Sequence, residues 1–207
     1  TDAMDFRAGD ALYLYMHDRS GTHDTWPELV SEQDEENLAE EMHRITGKGV
    51  VNIGWPYTYW DGARKTRLMA PEYGGNGKVS PPPGLYADPV VTFSTSHSAP
   101  LDLVFYNGRQ FPAAYRGGAF VVRHGGNGAE RPGGRSGYDV MFIPFQGGKP
   151  GTPVTFADGF AGPTPDSKIV AKAAYRPVGA AVGPDGSLYV AESNKGRIWR
   201  IYYDGKP

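Results

Sequence analysis

The chain has 207 residues, a formal charge of −2 and no cysteine, which removes disulfides and thiolate metal sites, and it has no basic stripe to hold nucleic acid. Gly (29) and Pro (18) make up nearly a quarter of it, yet aromatics reach 13%; this is the composition of a turn-rich all-β domain with a core, not of a disordered chain. The length suffices for one substantial core, and no apolar run approaches the ~20 residues that cross a membrane as a helix.

The first residues, TDAMDF, read as the inside of a strand. An Arg-Ala-Gly-Asp turn then leads into a strand over Ala11–His17 (ALYLYMH). Asp18–Thr25 is polar and loop-like. The acid-rich Trp26–Glu40 reads as a solvated loop face with one short helix around Pro27–Asn37. Glu41–Ile45 (EMHRI) is a short alternating strand; Glu40 and Glu41 are neighbours, so along a strand they point to opposite faces and do not form an acid–base pair. Asn52–Tyr59 is compact and aromatic, and its Trp55-Pro56-Tyr57 reads as packing, because large rings bury well. Arg64–Gly77 reads as a surface connection, and Pro81-Pro82-Pro83-Gly84 as a stiff loop that cannot pair.

Pro89–Phe93 is a short strand that leads into Ser94–Pro100 (STSHSAP). Leu101–Tyr106, Gly118–His124 and Tyr138–Phe145 form a meander interrupted by the glycine-rich Gly125–Gly137, with Val154–Phe156 as its outer strand. The last meander is the most regular. Val178–Val182 is small and apolar, and Gly183-Pro184-Asp185-Gly186 is a turn in which Pro fixes φ and Asp-Gly tolerates φ > 0. Ser187–Ala191 is rich in strand formers. Asn194-Lys195-Gly196 turns the chain again, and Arg197–Tyr203 alternates as a half-buried strand does. DALYLYMHD, GAFVVRHG and GSLYVAES repeat one pattern: a Gly or Asp turn, an aromatic–aliphatic strand and a polar end. Unequal spacing argues against a solenoid and suits the blades of a β-propeller with long inserted loops. Leu101–Tyr106 and Val178–Val182 are the expected inner strands.

Several stretches together resemble the C-terminal half of PQQ-dependent sugar dehydrogenases, the glucose/sorbosone dehydrogenase family. They are GWPYTYWD (Gly54–Asp61), LMAPEYGG (Leu68–Gly75), HSAPLDLVFYNGRQFPAAYRGGAFVVRHG (His97–Gly125), GYDVMFIPFQGGKPG (Gly137–Gly151), FADGFAG (Phe156–Gly162) and YRPVGAAVGPDGSLYVAESNKGRIWRIYY (Tyr175–Tyr203). The PDG turn occurs in many propellers; the ordered set HSAPLDLVFY, FPAAYRGGAF, YRPVG is specific. The resemblance implies an all-β, six-bladed β-propeller of which residues 1–207 supply the C-terminal blades. It implies PQQ held over one end, Ca²⁺ between PQQ and protein, and oxidation of a sugar's anomeric or aldehyde carbon. It further implies an electron acceptor such as a cytochrome or quinone and a periplasmic or extracellular setting. The family's catalytic His would lie before Thr1, so a missing N-terminal segment or another chain is the expected partner that completes the ring.

Arg176 precedes Pro177 at the entrance to an inner strand, where a guanidinium can pair bidentately with a carboxylate of PQQ; closing a salt bridge at a sheet end is the alternative. His97 and Ala99 lie just before an inner strand, in a segment that packs against the cofactor in the family; an imidazole there stacks or donates to a quinone oxygen, or is simply satisfied in its loop. His124 ends a strand, followed by glycines that allow close backbone approach to a ligand; its HGGNGAER replaces the family's HGSWNR-like run and lacks the Trp. His17-Asp18-Arg19 matches the segment whose carbonyls bind Ca²⁺ in the family, with Asp18 a further oxygen donor; a capped strand end is the alternative. The second function reading is a non-catalytic binding or assembly module that has lost the base. A lactonase-type propeller ranks last, because acidic metal ligands are not found at the strand entrances.

Overall fold

The structure is a computed structural model describing residues 3–16, 19, 21–47, 49–93, 97–126 and 136–205. Strands β1 (Ala3–Phe6) and β2 (Leu12–Met16) form a hairpin. Two short helices follow, α1 (Thr22–Thr25) and α2 (Glu32–Glu36), and then β3 (Glu40–Ile45) pairs antiparallel with β2. A separate hairpin of β4 (Thr58–Asp61) and β5 (Thr66–Met69) intervenes before β6 (Val91–Phe93) completes the first sheet against β3. The second sheet is built from β7 (Pro100–Phe105), β8 (Ala119–Arg123) and β9 (Asp139–Ile143). The small hairpin of β10 (Phe145–Gln146) and β11 (Lys149–Pro150) carries the chain to the sheet's outer strand, β12 (Val154–Ala157), which pairs with β9. The third sheet is the meander β13 (Pro177–Val182), β14 (Leu188–Glu192) and β15 (Ile198–Ile201). The chain is therefore all-β, in antiparallel sheets with a few short helices.

The middle sheet is covered on both faces. Side chains alternate along a strand, so Ala119 and Val121 of β8 and Met141 and Ile143 of β9 pack against Tyr13, Tyr15, Met42 and Phe93 of the first sheet. Phe120, Val122, Val140 and Phe142 face the other way, against Phe160, Leu188 and Val190. Two buried faces explain why AFVV and VMFI read as unbroken apolar runs and not as alternation. The first strands of the sheets lie side by side, β1 against β7 and β7 against β13. A carboxylate joins each pair: Asp5 Oδ2 accepts from Phe105 N at 2.8 Å, and Asp102 Oδ2 from Ala180 N at 2.7 Å.

Burial, with Asp5 nearby adding to it, pushes the Asp102 carboxyl above its usual value against the pull of two backbone N–H groups. An acid with a raised folded-state pKa binds its proton more tightly folded than unfolded. Its stabilising contribution is therefore full at pH below the ordinary carboxylate value and is lost as pH rises through the raised one. Asp102→Asn keeps an acceptor for Ala180 N–H and removes that dependence, so at pH 7 it is expected to be as stable as the parent in urea or more so. Asp102→Ala orphans the N–H and is expected to cost about 1–3 kcal/mol. Equal losses in the two variants would contradict this account.

Three expectations are corrected. The acid-rich run holds its one short helix, α2, inside Pro27–Asn37 as expected, but it is not a solvated face: Glu35 and Glu40 are buried, Glu35 accepting from Gly21 N (2.5 Å) and His23 N (2.7 Å), and α1 falls in the preceding stretch read as loop. Arg64–Gly77 is not a bare connection, since β5 lies inside it and pairs with β4. Trp55 and Tyr57 are not packing residues; they are 56% and 43% exposed. The hydrogen bond from Thr58 N to Gly54 O (2.9 Å) makes a tight turn with Trp55, Pro56 and Tyr57 at its tip, where rings project outward.

Candidate functional site

The β7–β8 ladder continues past both strands at one rim. His124 N–H donates to Ala99 O (2.9 Å), Gly125 N–H to Ser98 O (2.8 Å) and Gly126 N–H to His97 O (2.8 Å). Arg176, one residue ahead of β13, reaches across to the same place: its Nε donates to His124 O at 3.4 Å and its Nη2 to Gly125 O. His124 Nε2 lies 2.9 Å from Ser193 Oγ, and Ser193 N–H donates to Arg176 O at 3.0 Å. Four residues expected to act together, His97, Ala99, His124 and Arg176, are thus brought to one end of the sheets.

The backbone here is strained. His97 (φ 63°) and Ala99 (φ 50°) are left-handed without being glycine, a conformation that costs about 1–3 kcal/mol per residue and persists only where the surroundings impose it. Glu40, at the start of β3, imposes it: its Oε1 accepts from Ala99 N at 2.6 Å and its Oε2 accepts the Ser98 hydroxyl. The His97 imidazole is buried, its Nε2 4.0 Å from Glu36 Oε1. Glu41 points elsewhere, accepting from Arg67 Nη2 (2.7 Å) and His43 Nε2 (3.0 Å), as strand alternation requires of a neighbour of Glu40. Beneath the rim, Arg123 Nε and Nη2 grip both oxygens of Asp139 at 2.8 and 2.6 Å, with the guanidinium 4.7 Å over the Phe93 ring. The Tyr15 hydroxyl is buried close by, and burial, then the Glu40 charge, push it well above the ordinary phenol value.

Among the described residues no carboxylate lies within ion-pair distance of Arg176; the guanidinium meets two carbonyls and, at 5.8 Å, the face of Tyr138. Burial lowers its pKa, the mark of a cation partly stripped of water. Burial, and next the Arg176 charge, hold His124 down at about 4, so it is neutral at pH 7. The salt bridge that was the alternative for Arg176 is not formed among the described residues.

The first two glycines after His124 are required by packing: a Cβ on Gly125 would sit 2.2 Å from the Tyr138 ring, and one on Gly126 2.8 Å from His97 O, while 127–135 lie outside the described residues. Of the expected calcium segment only Arg19 is described. Asp18 lies outside the described residues. The Arg19 carbonyl already accepts Thr22 N (3.2 Å) and Thr22 Oγ1 (2.5 Å), and its guanidinium is committed to Pro56 O (2.7 Å) and Glu72 Oε1 (2.6 Å). No cluster of three or more His, Asp or Glu able to hold a metal occurs among the described residues, so a calcium site there would depend on main-chain oxygens.

Sequence reasoning passed over Glu40, Ser98, Arg123 and Asp139. A signal was present: EEMHRI sets two carboxylates at the head of a strand whose first four residues are all buried, and a charge in such a place must be paired.

In its fold the chain is like sugar dehydrogenases. It superposes on a glucose dehydrogenase with a TM-score of 0.59 at 17% identity, covering 98% of this chain and 44% of that one. Against the calcium structure of the Trichoderma reesei Carbohydrate-Active Enzymes Family AA12 the TM-score is 0.67 at 18% identity, covering 95% and 50%. The soluble aldose sugar dehydrogenase (Asd) from Escherichia coli, in the apo-form, gives 0.54 at 18%, covering 94% and 42%. The chain thus spans about half the length of these structures or less. Residues 83–204 match the TrAA12-like family model, more than half of the chain, and the chain belongs to that family. No curated protein matches the sequence.

Proposed function

We propose that the chain is a quinoprotein sugar dehydrogenase module. Its three main sheets are neighbouring blades of a β-propeller of the six-bladed type, and the rim of His97, Ala99, His124 and Arg176 forms one side of a PQQ site. Family membership and the likeness in fold to glucose and aldose sugar dehydrogenases support this reading. The observation that carries it is Arg176, a partly desolvated cation with no carboxylate partner among the described residues, which suits a ligand with three carboxylates. When bound, PQQ supplies the two-electron acceptor for oxidation of an aldose or sugar aldehyde. A cytochrome or quinone would receive the electrons in a periplasmic or extracellular setting.

The chain's own residues bind and orient. Two hydrogen bonds to fixed carbonyls set the plane of the Arg176 fork, so little side-chain freedom remains to be lost on pairing with a carboxylate. A neutral His124 adds no second positive charge. Glu40 fixes the loop that carries His97. No step is routed through calcium.

A second reading is a binding module without turnover: His124, with a pKa of about 4, is too weak a base at neutral pH to replace the catalytic His that the resemblance places elsewhere. Titrating PQQ into the chain tests the binding common to both readings. Arg176→Ala is expected to weaken it by about 1.5–3 kcal/mol, as for a lost hydrogen bond to a charged group, and unchanged affinity would refute the site. Dye reduction with glucose then separates the two readings.

A further inference from the structure

Trp55, Tyr57 and Tyr73 are 56%, 43% and 44% exposed, and they are not loose. Tyr57 and Tyr73 meet edge to face with centroids 4.8 Å apart. The Arg19 guanidinium lies 5.1 Å from the Trp55 ring centroid and is itself pinned by Pro56 O (2.7 Å) and Glu72 Oε1 (2.6 Å). Tyr73 follows Glu72 in sequence. The turn bearing Trp55 is held by Thr58 N to Gly54 O (2.9 Å), and Tyr57 O accepts Ala70 N (2.9 Å). Three exposed rings are therefore held on segments that one Arg–Glu ion pair ties together.

We propose that this cluster is a carbohydrate-binding platform for a pyranose unit of a glycan chain, built from residues other than those of the rim and tested without the cofactor. A pyranose offers an apolar face of axial C–H groups and an edge of hydroxyls. The exposed rings match the face, and the half-exposed Glu72 carboxylate, 42% accessible, with the Arg19 guanidinium matches the edge. Fully buried aromatics contribute 150–250 Å² each, so rings about half exposed present roughly 300 Å² in all. That is well under the ~800 Å² each partner gives to a stable protein interface, and it suits a ligand of one or two sugar rings. The cation against Trp55 also fixes the ring's orientation, so stacking costs little conformational entropy.

Affinity electrophoresis of the full chain in gels cast with soluble hydroxyethylcellulose, xylan, galactomannan or amylose tests the proposal, with free cellohexaose, xylohexaose, mannohexaose or maltohexaose as the matching competitor. Retardation in at least one gel, competed by its oligosaccharide, is expected. Trp55→Ala and Tyr73→Ala, on separate segments, should each weaken it at least fivefold with an unchanged far-ultraviolet circular dichroism spectrum. Tyr202→Ala, a ring of equal exposure (56%) in the third sheet, should have no effect. Absence of retardation in every gel, full retention in both Trp55→Ala and Tyr73→Ala, or an equal loss in Tyr202→Ala would overturn the proposal. So would light scattering in which the chain self-associates and Trp55→Ala abolishes the association, because the rings would then serve a protein contact.

Discussion

Arg123→Leu is expected to lower folding stability by about 3–5 kcal/mol, the loss found when one partner of a buried ion pair is removed. Arg123 and Asp139 are nearly inaccessible to solvent and hydrogen-bonded through both oxygens, so the variant leaves an uncompensated carboxylate between two packed sheets. The pair also ties β8 to β9 one residue before His124, and its loss should loosen the rim from beneath. Urea unfolding gives the value, and the double variant Arg123→Leu/Asp139→Leu should recover most of the loss, since no isolated charge then remains. A single variant no worse than the double one would contradict this account of the pair.

The second large effect is expected at Glu40. Glu40→Ala removes the acceptor of a buried donor, the Ser98 hydroxyl, and of a part-buried one, the Ala99 N–H. At about 1–3 kcal/mol for each orphaned group, the loss is roughly 2–6 kcal/mol. The strained His97 and Ala99 would then relax, so the His97 imidazole resonances should move while those of His43, held by Glu41, stay in place. Glu40→Gln keeps one oxygen acceptor and should fall between parent and alanine variant. A loss under about 0.5 kcal/mol with an unmoved His97 signal would show that Glu40 does not hold the loop.

Much of the fold was legible because the strands carry their own punctuation. The Gly183–Gly186 turn, the β8 and β9 runs and the outer strand near Val154 sit where turn chemistry and apolar patterning put them. Grouping His97, Ala99, His124 and Arg176 at one end also followed from the sequence, since each precedes or ends a strand of adjacent sheets. Residues held by long-range partners were not legible. Glu40 sits in an acidic run, and local charge density signals solvent unless one knows that Ser98 and Ala99, nearly sixty positions on, supply donors. Trp55 and Tyr57 misled in the opposite sense: aromatic content signals a core, but a tight turn from Gly54 to Thr58 can only present its tip outward. The calcium segment rested on main-chain oxygens, whose availability is set by hydrogen bonds such as those from Thr22 to Arg19 and not by side-chain identity.

The central claim, that the rim of His97, His124 and Arg176 receives a PQQ-type polyanion, is tested most directly by imidazole NMR of the full chain during a PQQ titration at pH 7. The resonances of His97 and His124 should shift together and saturably, those of His23 and His43 should stay fixed, and Arg176→Ala should abolish the response. No shift at His97 or His124, or a response that persists undiminished in Arg176→Ala, would contradict it.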